Sequence, residues 1–186
     1  MSHEQLHELY RQIKSEIEKK CEEFAAIRIR NEETELFREL VFCLLTPQSN
    51  AHRAWDAVCT LTDEDLLLHG SLAEIVPIVR AVRFHNNKSR YILNARSQLF
   101  GKLGQLLRES SNDHIRRERL VCAVKGFGMK EASHFLRNIG YYHECAILDR
   151  HIMRQLYENS VIAEVPVSLS FKKYIEIESA MTVFAH

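Results

Sequence analysis

The sequence predicts an all-α fold, and three observations carry that expectation. Glycine and proline are scarce, six and three in 186 residues. Apolar residues recur at three- and four-residue intervals along most of the chain, the period of a helix buried on one side. No segment shows the strict alternation of a half-buried strand. About ten short helices are expected on this basis.

Residues 3–24 read as the first helix, with Leu6, Leu9, Ile13, Ile17 and Phe24 on its apolar face. Residues 32–45 read as the second, burying Leu36, Phe37, Leu40, Val41 and Leu44. It must stop near Thr46-Pro47, because proline disfavours helical conformation in the residue before it. A third starts around Ser49 and carries Ala51, Ala54, Trp55 and Val58. Thr62 is placed as the N-cap of a short helix, DEDLLLHG, stopped by Gly70. Ser71 caps the next, LAEIVPIVRAV. Residues 86–100 hold Tyr91, Ile92, Ala95 and Leu99 at helical spacing. Residues 113–124 and 129–139 form two more, stopped by Gly126 and Gly140. Residues 148–158 follow, and 171–185 close the chain with Phe171, Tyr174, Ile177, Met181 and Phe184 on one face. No repeat or low-complexity linker interrupts residues 1–186, so one unit is expected.

Composition narrows the function classes. Hydrophobic residues are 46% and charged residues 27%, as in folded rather than disordered chains. No apolar run approaches the roughly 20 residues of a membrane span, and the N-terminus has no apolar signal core. The expectation is an intracellular protein of cytoplasm or nucleoid, with no membrane association. The five cysteines, Cys21, Cys43, Cys59, Cys122 and Cys145, form no C-x-x-C pair. A zinc or redox motif is therefore not expected, and the thiols fit a reducing compartment. Lys plus Arg and Asp plus Glu both number 25, for a net charge of zero. The zero hides a split: residues 1–79 carry −7, residues 80–154 carry +9 and residues 155–186 carry −2. The basic stretch suits either a polyanion partner or attraction between two parts of the same fold.

The most informative stretch is 120–140, LVCAVKGFGMKEASHFLRNIG. A helix runs into Lys125-Gly126-Phe127-Gly128 and a second begins. Two glycines permit a tight turn with positive φ, and Phe127 can plug between the helices. The N–H groups that start the second helix would form a ready phosphate site. Taken alone, the G-x-G turn also fits an ordinary helical hairpin. Lys130 starts the second helix, and Asp149 follows 19 residues later in Ile147-Leu148-Asp149-Arg150-His151.

With KGFGMKEASHFLRNIG, AILDRH, FCLLTPQSNA and VRFHNNKSRYI, the chain resembles the HhH-GPD superfamily of DNA base-excision glycosylases. It is most similar to the archaeal-type 8-oxoguanine DNA glycosylase/AP lyases, across most of residues 35–157. The resemblance implies two helical lobes around a cleft, with a helix-hairpin-helix at about 115–140. It implies double-stranded DNA with a damaged base as partner, and a monomer. Lys130 would be the catalytic lysine and Asp149 the catalytic aspartate. The neutral amine of Lys130 would attack the anomeric carbon, form a Schiff base with the sugar and promote β-elimination of the strand. Asp149 would stabilise positive charge on the sugar or help deprotonate the lysine.

Other roles follow from the same resemblance. Gln48, with Ser49, would fill the gap left by the flipped nucleotide; the alternative is that both cap the helix after Pro47. Phe84 would stack on the flipped base, or else pack in the core. Ser133, one turn after Lys130, would face the base. Lys125, Gly126, Phe127, Gly128 and Arg150 would hold the DNA backbone. Arg116, Arg117, Arg119 and Arg154 are further phosphate candidates. No cofactor is required, although main-chain carbonyls of Cys122, Val124 and Phe127 would suit a K+ or Na+ ion. An iron–sulfur cluster of the kind found in some relatives is not expected, since no cysteine follows Cys145. The family pocket also draws on a C-terminal tail with a tryptophan and a terminal lysine. Trp55 is the one tryptophan here, so that tail is expected to be missing. Other damaged bases, or DNA binding without catalysis, are the competing readings.

Overall fold

The structure, a computed structural model, describes residues 3–185, with side chains from Gln5 onward. Those residues form eleven α-helices, one 3-10 turn and no strand. The helices are α1 (His3–Arg30), α2 (Glu33–Leu45), α3 (Ala51–Asp63), α4 (Leu66–His69), α5 (Leu72–Ile78), α6 (His85–Leu99), α7 (Leu103–Arg108), α8 (Asp113–Ala123), α9 (Met129–Asn138), α10 (Arg150–Glu158) and α11 (Phe171–Ala185). The all-α class holds.

Several boundaries move for identifiable reasons. Thr62 does not cap a new helix. It lies inside α3, where its hydroxyl donates to Val58 O at 2.8 Å. Asp65, at φ 57, makes the turn into α4. Asn50 caps α3 by accepting from Arg53 N, and Ser71 forms the capping box with Glu74 that opens α5. The eleventh helix, α7, was not expected. Gly104 weakens its intrinsic propensity, but Glu33 accepts from Leu103 N at 2.7 Å and Gly104 N at 3.1 Å. A carboxylate from α2 thus satisfies the free donors of its first turn.

α1 departs furthest from expectation. Leu6, Leu9, Ile13 and Ile17 remain 40%, 47%, 46% and 40% exposed. A 28-residue helix is about 42 Å long, and α1 docks through its C-terminal part. There Ile27 packs on the core and the Arg28 guanidinium covers the Tyr141 ring at 4.4 Å. Gly140, at φ +86, ends α9 beside it. A Cβ there would lie 2.7 Å from Phe24 O, so glycine is what lets α1 approach.

Two apolar cores result. The larger is built from α2 to α9 and includes Phe37, Leu40, Leu44, Leu61, Ile92, Leu103, Phe135 and Leu136. The smaller contains Leu148, Met153, Leu156, Tyr174 and Ile177, from α10, α11 and the segment before α10. Between them lies a wholly buried guanidinium. Arg117 of α8 donates to Glu178 of α11 at 2.6 and 2.8 Å. Burial is the largest single influence and works against its charge, but the Glu178 hydrogen bonds and the negative groups around it together leave its pKa above the ordinary value.

Candidate active site

α8 and α9 form the expected hairpin around the turn 124–128. Phe127 is buried and its ring lies 6.3 Å from that of Phe135, so it does plug between the helices. Gly126 takes φ +100, and a Cβ there would meet the Tyr91 ring of α6 at 2.6 Å. Its glycine is required for conformation and for space. Gly128 departs from expectation, since its backbone is extended rather than left-handed. Its N–H donates to Glu131 Oε2 at 3.1 Å, and the Phe127 N–H donates to Val124 O at 3.0 Å. These two backbone donors are thus satisfied within the hairpin. The following N–H groups of α9 lack intrahelical acceptors, as in any helix.

Lys130, Asp149, Gln48, Ser49, Arg83, Leu148, Arg150 and His151 line one cleft of about 720 Å³. The two predicted catalytic groups therefore share a cavity, although they belong to helices on different cores. Lys130 is one-third exposed and its ammonium pairs with Glu131 Oε1 at 2.9 Å. Glu131 so does two things, restraining the amine and capping α9. One turn on, burial pushes His134 down to about 4. Its ring meets Phe42 edge-on at 5.7 Å, making it a neutral packing residue.

Asp149 is the N-cap of α10. Its Oδ1 accepts from His151 N and Ile152 N, both at 2.8 Å. The segment leading to it is bracketed by α11. Tyr174 OH donates to Ala146 O at 2.7 Å and accepts from Leu148 N at 3.1 Å. Glu178 Oε1 accepts from Ala146 N at 2.6 Å. None of Tyr174, Glu178 or Arg117 was singled out as an organiser from sequence.

The expected base-reading residues separate. Gln48 is exposed at the cleft, with φ 54. The turn Thr46–Ser49 closes by Ser49 N donating to Thr46 O at 3.0 Å, so Gln48 holds the left-handed third position that usually favours glycine. Neither Gln48 nor Ser49 caps α3, because Asn50 does so. Phe84 is 52% exposed and is not a core residue. It too is left-handed, at φ 61, and the Arg83 guanidinium lies 4.9 Å from its ring centre. A non-glycine residue held this way costs about 1–3 kcal/mol, and such strain clusters at working sites.

Ser133 is a correction. It is fully buried, and its hydroxyl accepts from Arg117 at 3.1 Å on the inner face of α9. It cannot face a base in the cleft. Arg116 and Arg117 are corrected likewise. Arg116 is buried against Asp113 and the carbonyls of Ser110 and Leu107, so neither arginine is free for phosphate. Arg119 and Arg154 are exposed but paired with Glu109 and Glu158. Lys125 and Arg150 are exposed at the hairpin and at the head of α10. Among the described residues no group of three His, Cys, Asp or Glu side chains could hold a metal ion.

The whole chain resembles known proteins. A family profile described as 8-oxoguanine DNA glycosylase, of the Ogg-HhH type, matches residues 17–186. The chain is 38% identical over 182 residues to the 8-oxoguanine DNA glycosylase/AP lyase of Fusobacterium nucleatum, covering 95% of this chain and 83% of that protein. It is 39% identical over 170 residues to the Methanocaldococcus jannaschii protein of the same name, covering 91% and 80%. Among solved structures, the Thermotoga maritima 8-oxoguanine DNA glycosylase superposes with a TM-score of 0.88 at 33% identity, covering 98% of this chain and 86% of that one. The M. jannaschii enzyme in complex with a 15mer DNA containing 8-oxoguanine also gives 0.88, at 36% identity, covering 96% and 85%. A profile match over nearly the whole chain, together with these relatives, places the protein: it belongs to the 8-oxoguanine DNA glycosylase family.

Proposed function

We propose that the protein is a bifunctional DNA glycosylase/AP lyase that excises 8-oxoguanine in base-excision repair. The observation that carries this is Lys130 and Asp149 on one cleft beside a helix-hairpin-helix. Lys130 gives up its proton, its nitrogen bonds to C1′, and the damaged base departs with the bonding electron pair. Ring opening converts the adduct to an imine. Loss of the C2′ proton then expels the 3′ phosphate and cuts the strand. Asp149 faces the sugar as a carboxylate that offsets its developing positive charge. Glu131 must release the amine before attack, since the ion pair holds the nitrogen away from the sugar.

Gln48 enters the space left by the flipped nucleotide, and Phe84 stacks against the base. The backbone at Lys125, Gly126, Phe127 and Gly128, the first N–H groups of α9, and Arg150 hold phosphate. The Phe127 and Gly128 N–H groups must first leave their internal acceptors to take part. The carbonyls of Cys122 and Val124 at the negative end of α8, with that of Phe127 from the turn, suit K+ or Na+; Val124 O has a second lone pair beyond its bond to Phe127 N. No other cofactor enters this chemistry. The 186 residues act as one unit of two helical lobes, monomeric and intracellular. Among the described residues no helix is long and apolar enough to cross a membrane.

The test is duplex DNA with a single 8-oxoguanine, incubated with protein and borohydride. A covalent adduct that Lys130→Gln abolishes is expected. An adduct surviving in that variant overturns the role of Lys130. Cleavage of thymine glycol but not 8-oxoguanine overturns the substrate.

A further inference from the structure

Lys88 is a buried lysine that the excision chemistry does not use. It sits on α6, only 5% exposed. Its ammonium donates to Leu45 O at 2.8 Å, Pro47 O at 2.7 Å and Ser49 Oγ at 3.2 Å. All three acceptors are neutral oxygens, and they fall on either side of Gln48. Leu45 is the last residue of α2, so the cation also meets the negative end of that helix.

Ser49 extends the node. Its hydroxyl donates to Pro47 O at 3.2 Å and accepts from Arg83 N at 3.1 Å. Arg83 immediately precedes Phe84. One ammonium and one hydroxyl therefore tie together the two left-handed residues Gln48 and Phe84. Behind them, Leu44, Pro47, Phe84, Lys88, Tyr91 and Gly126 enclose a cavity of about 260 Å³, so the node also abuts the hairpin turn. An apolar residue at 88 would fill the space but leave both carbonyls without this donor.

We infer that Lys88 is a positioning residue: it holds Gln48 and Phe84 in their left-handed conformations and so sets the register between gap-filling and base-stacking when a nucleotide flips. This rests on the glycosylase reading above. Chemistry at Lys130 on an already abasic sugar depends on it less than flipping does.

The node carries a pH signature. Burial pushes the Lys88 ammonium down to about 8. From α9, Glu131 favours the charge and Lys130 opposes it, whereas α2 and the turn present only carbonyls and the serine hydroxyl. Above that pH the group has two N–H donors instead of three, and one bond of the node is lost. Global stability moves the other way. Folded Lys88 gives up its proton at about 8 while unfolded Lys88 keeps it to 10.5, so deprotonation favours the folded chain across that window.

The experiment uses full-length wild type, Lys88→Met and Lys88→Arg. Flipping is read from 2-aminopurine fluorescence beside a 2′-fluoro 8-oxoguanine that resists cleavage, at pH 6.5 to 9.5. Attack is read separately, by borohydride trapping on a pre-formed abasic strand. In Lys88→Met, flipping is expected to fall at least about tenfold more than trapping. Wild-type flipping should decline above about pH 8 while thermal stability does not, and Lys88→Arg, which stays charged, should remove the decline. Equal losses of flipping and trapping in Lys88→Met, or a pH profile unchanged in Lys88→Arg, overturns the inference. If Lys88→Met does not fold, the arginine profile decides alone. Failure of wild type to excise 8-oxoguanine while flipping it with this profile would instead count against the glycosylase reading.

Discussion

Lys130 and Asp149 meet at one cleft but are held in place by different physics. Lys130 rides on α9, whose Ala132, Phe135 and Leu136, with Ile139 at its C-cap, are completely buried in the large core. Apolar packing spreads its support over many weak contacts. Asp149 follows a stretch with no regular structure, beside a core that has five buried apolar or aromatic side chains among the described residues. A tyrosine, a glutamate and an arginine fix that stretch. Lys130 should therefore tolerate changes around it, and Asp149 should not.

Substitutions can break or sharpen this contrast. The largest effect belongs to Lys130→Gln. Strand cleavage should drop by at least about a thousandfold, read in single turnover, with the melting temperature little changed. Next is Glu178→Gln, which leaves the buried Arg117 without a charged partner at a cost of about 3–5 kcal/mol. Leu136→Ala in the large core should cost a similar amount, about 2–5 kcal/mol. The two should differ in the folded fraction: excision slows in Glu178→Gln and stays near normal in Leu136→Ala. Matching rates would sink the contrast. Asp149→Asn comes third. Asparagine caps a helix as well as aspartate, so stability should hold while excision slows about 100- to 1000-fold. Equal loss of DNA binding and chemistry would make Asp149 only a cap. Tyr174→Phe is milder, about 1 kcal/mol in denaturant titrations, with excision a few fold slower and DNA affinity unchanged.

The smallest effect is on the α9 side. Folded His134 has its pKa near 4 against 6.5 in the free side chain. The neutral ring's contribution is full above pH 6.5 and is lost as pH falls toward 4. His134→Phe should flatten the stability profile in that window.

The local motifs were legible because each lies within a short run of sequence. The hairpin needs a glycine where Gly126 sits, and Asp149 precedes α10 in the position of a cap. The organisers were hidden because they act over long sequence distances. Yet they left one signal. Lys88 falls in phase with Ile92, Ala95 and Leu99, and Glu178 in phase with Tyr174, Ile177 and Met181. A charged residue on the apolar stripe of a helix must find an internal partner. Ser133 misled for the related reason that spacing of three residues does not decide which side of the stripe faces solvent. Charge misled as well. Lys88, Arg96, Arg116, Arg117 and Arg137 all make internal bonds, so the basic stretch is less basic at its surface than its count of +9 suggests.

The Arg117–Glu178 pair spans 61 positions, and Ala146 waits 32 positions for the same carboxylate. A ribosome adding about 5–20 residues per second needs roughly 2–6 seconds to cover the latter interval. Until α11 emerges, the nascent chain can assemble the helix that bears Lys130 but cannot fasten the segment that presents Asp149. Firm placement of Asp149 is thus tied to the synthesis of α11, and a polypeptide released before that helix would carry Lys130 without its firmly placed partner.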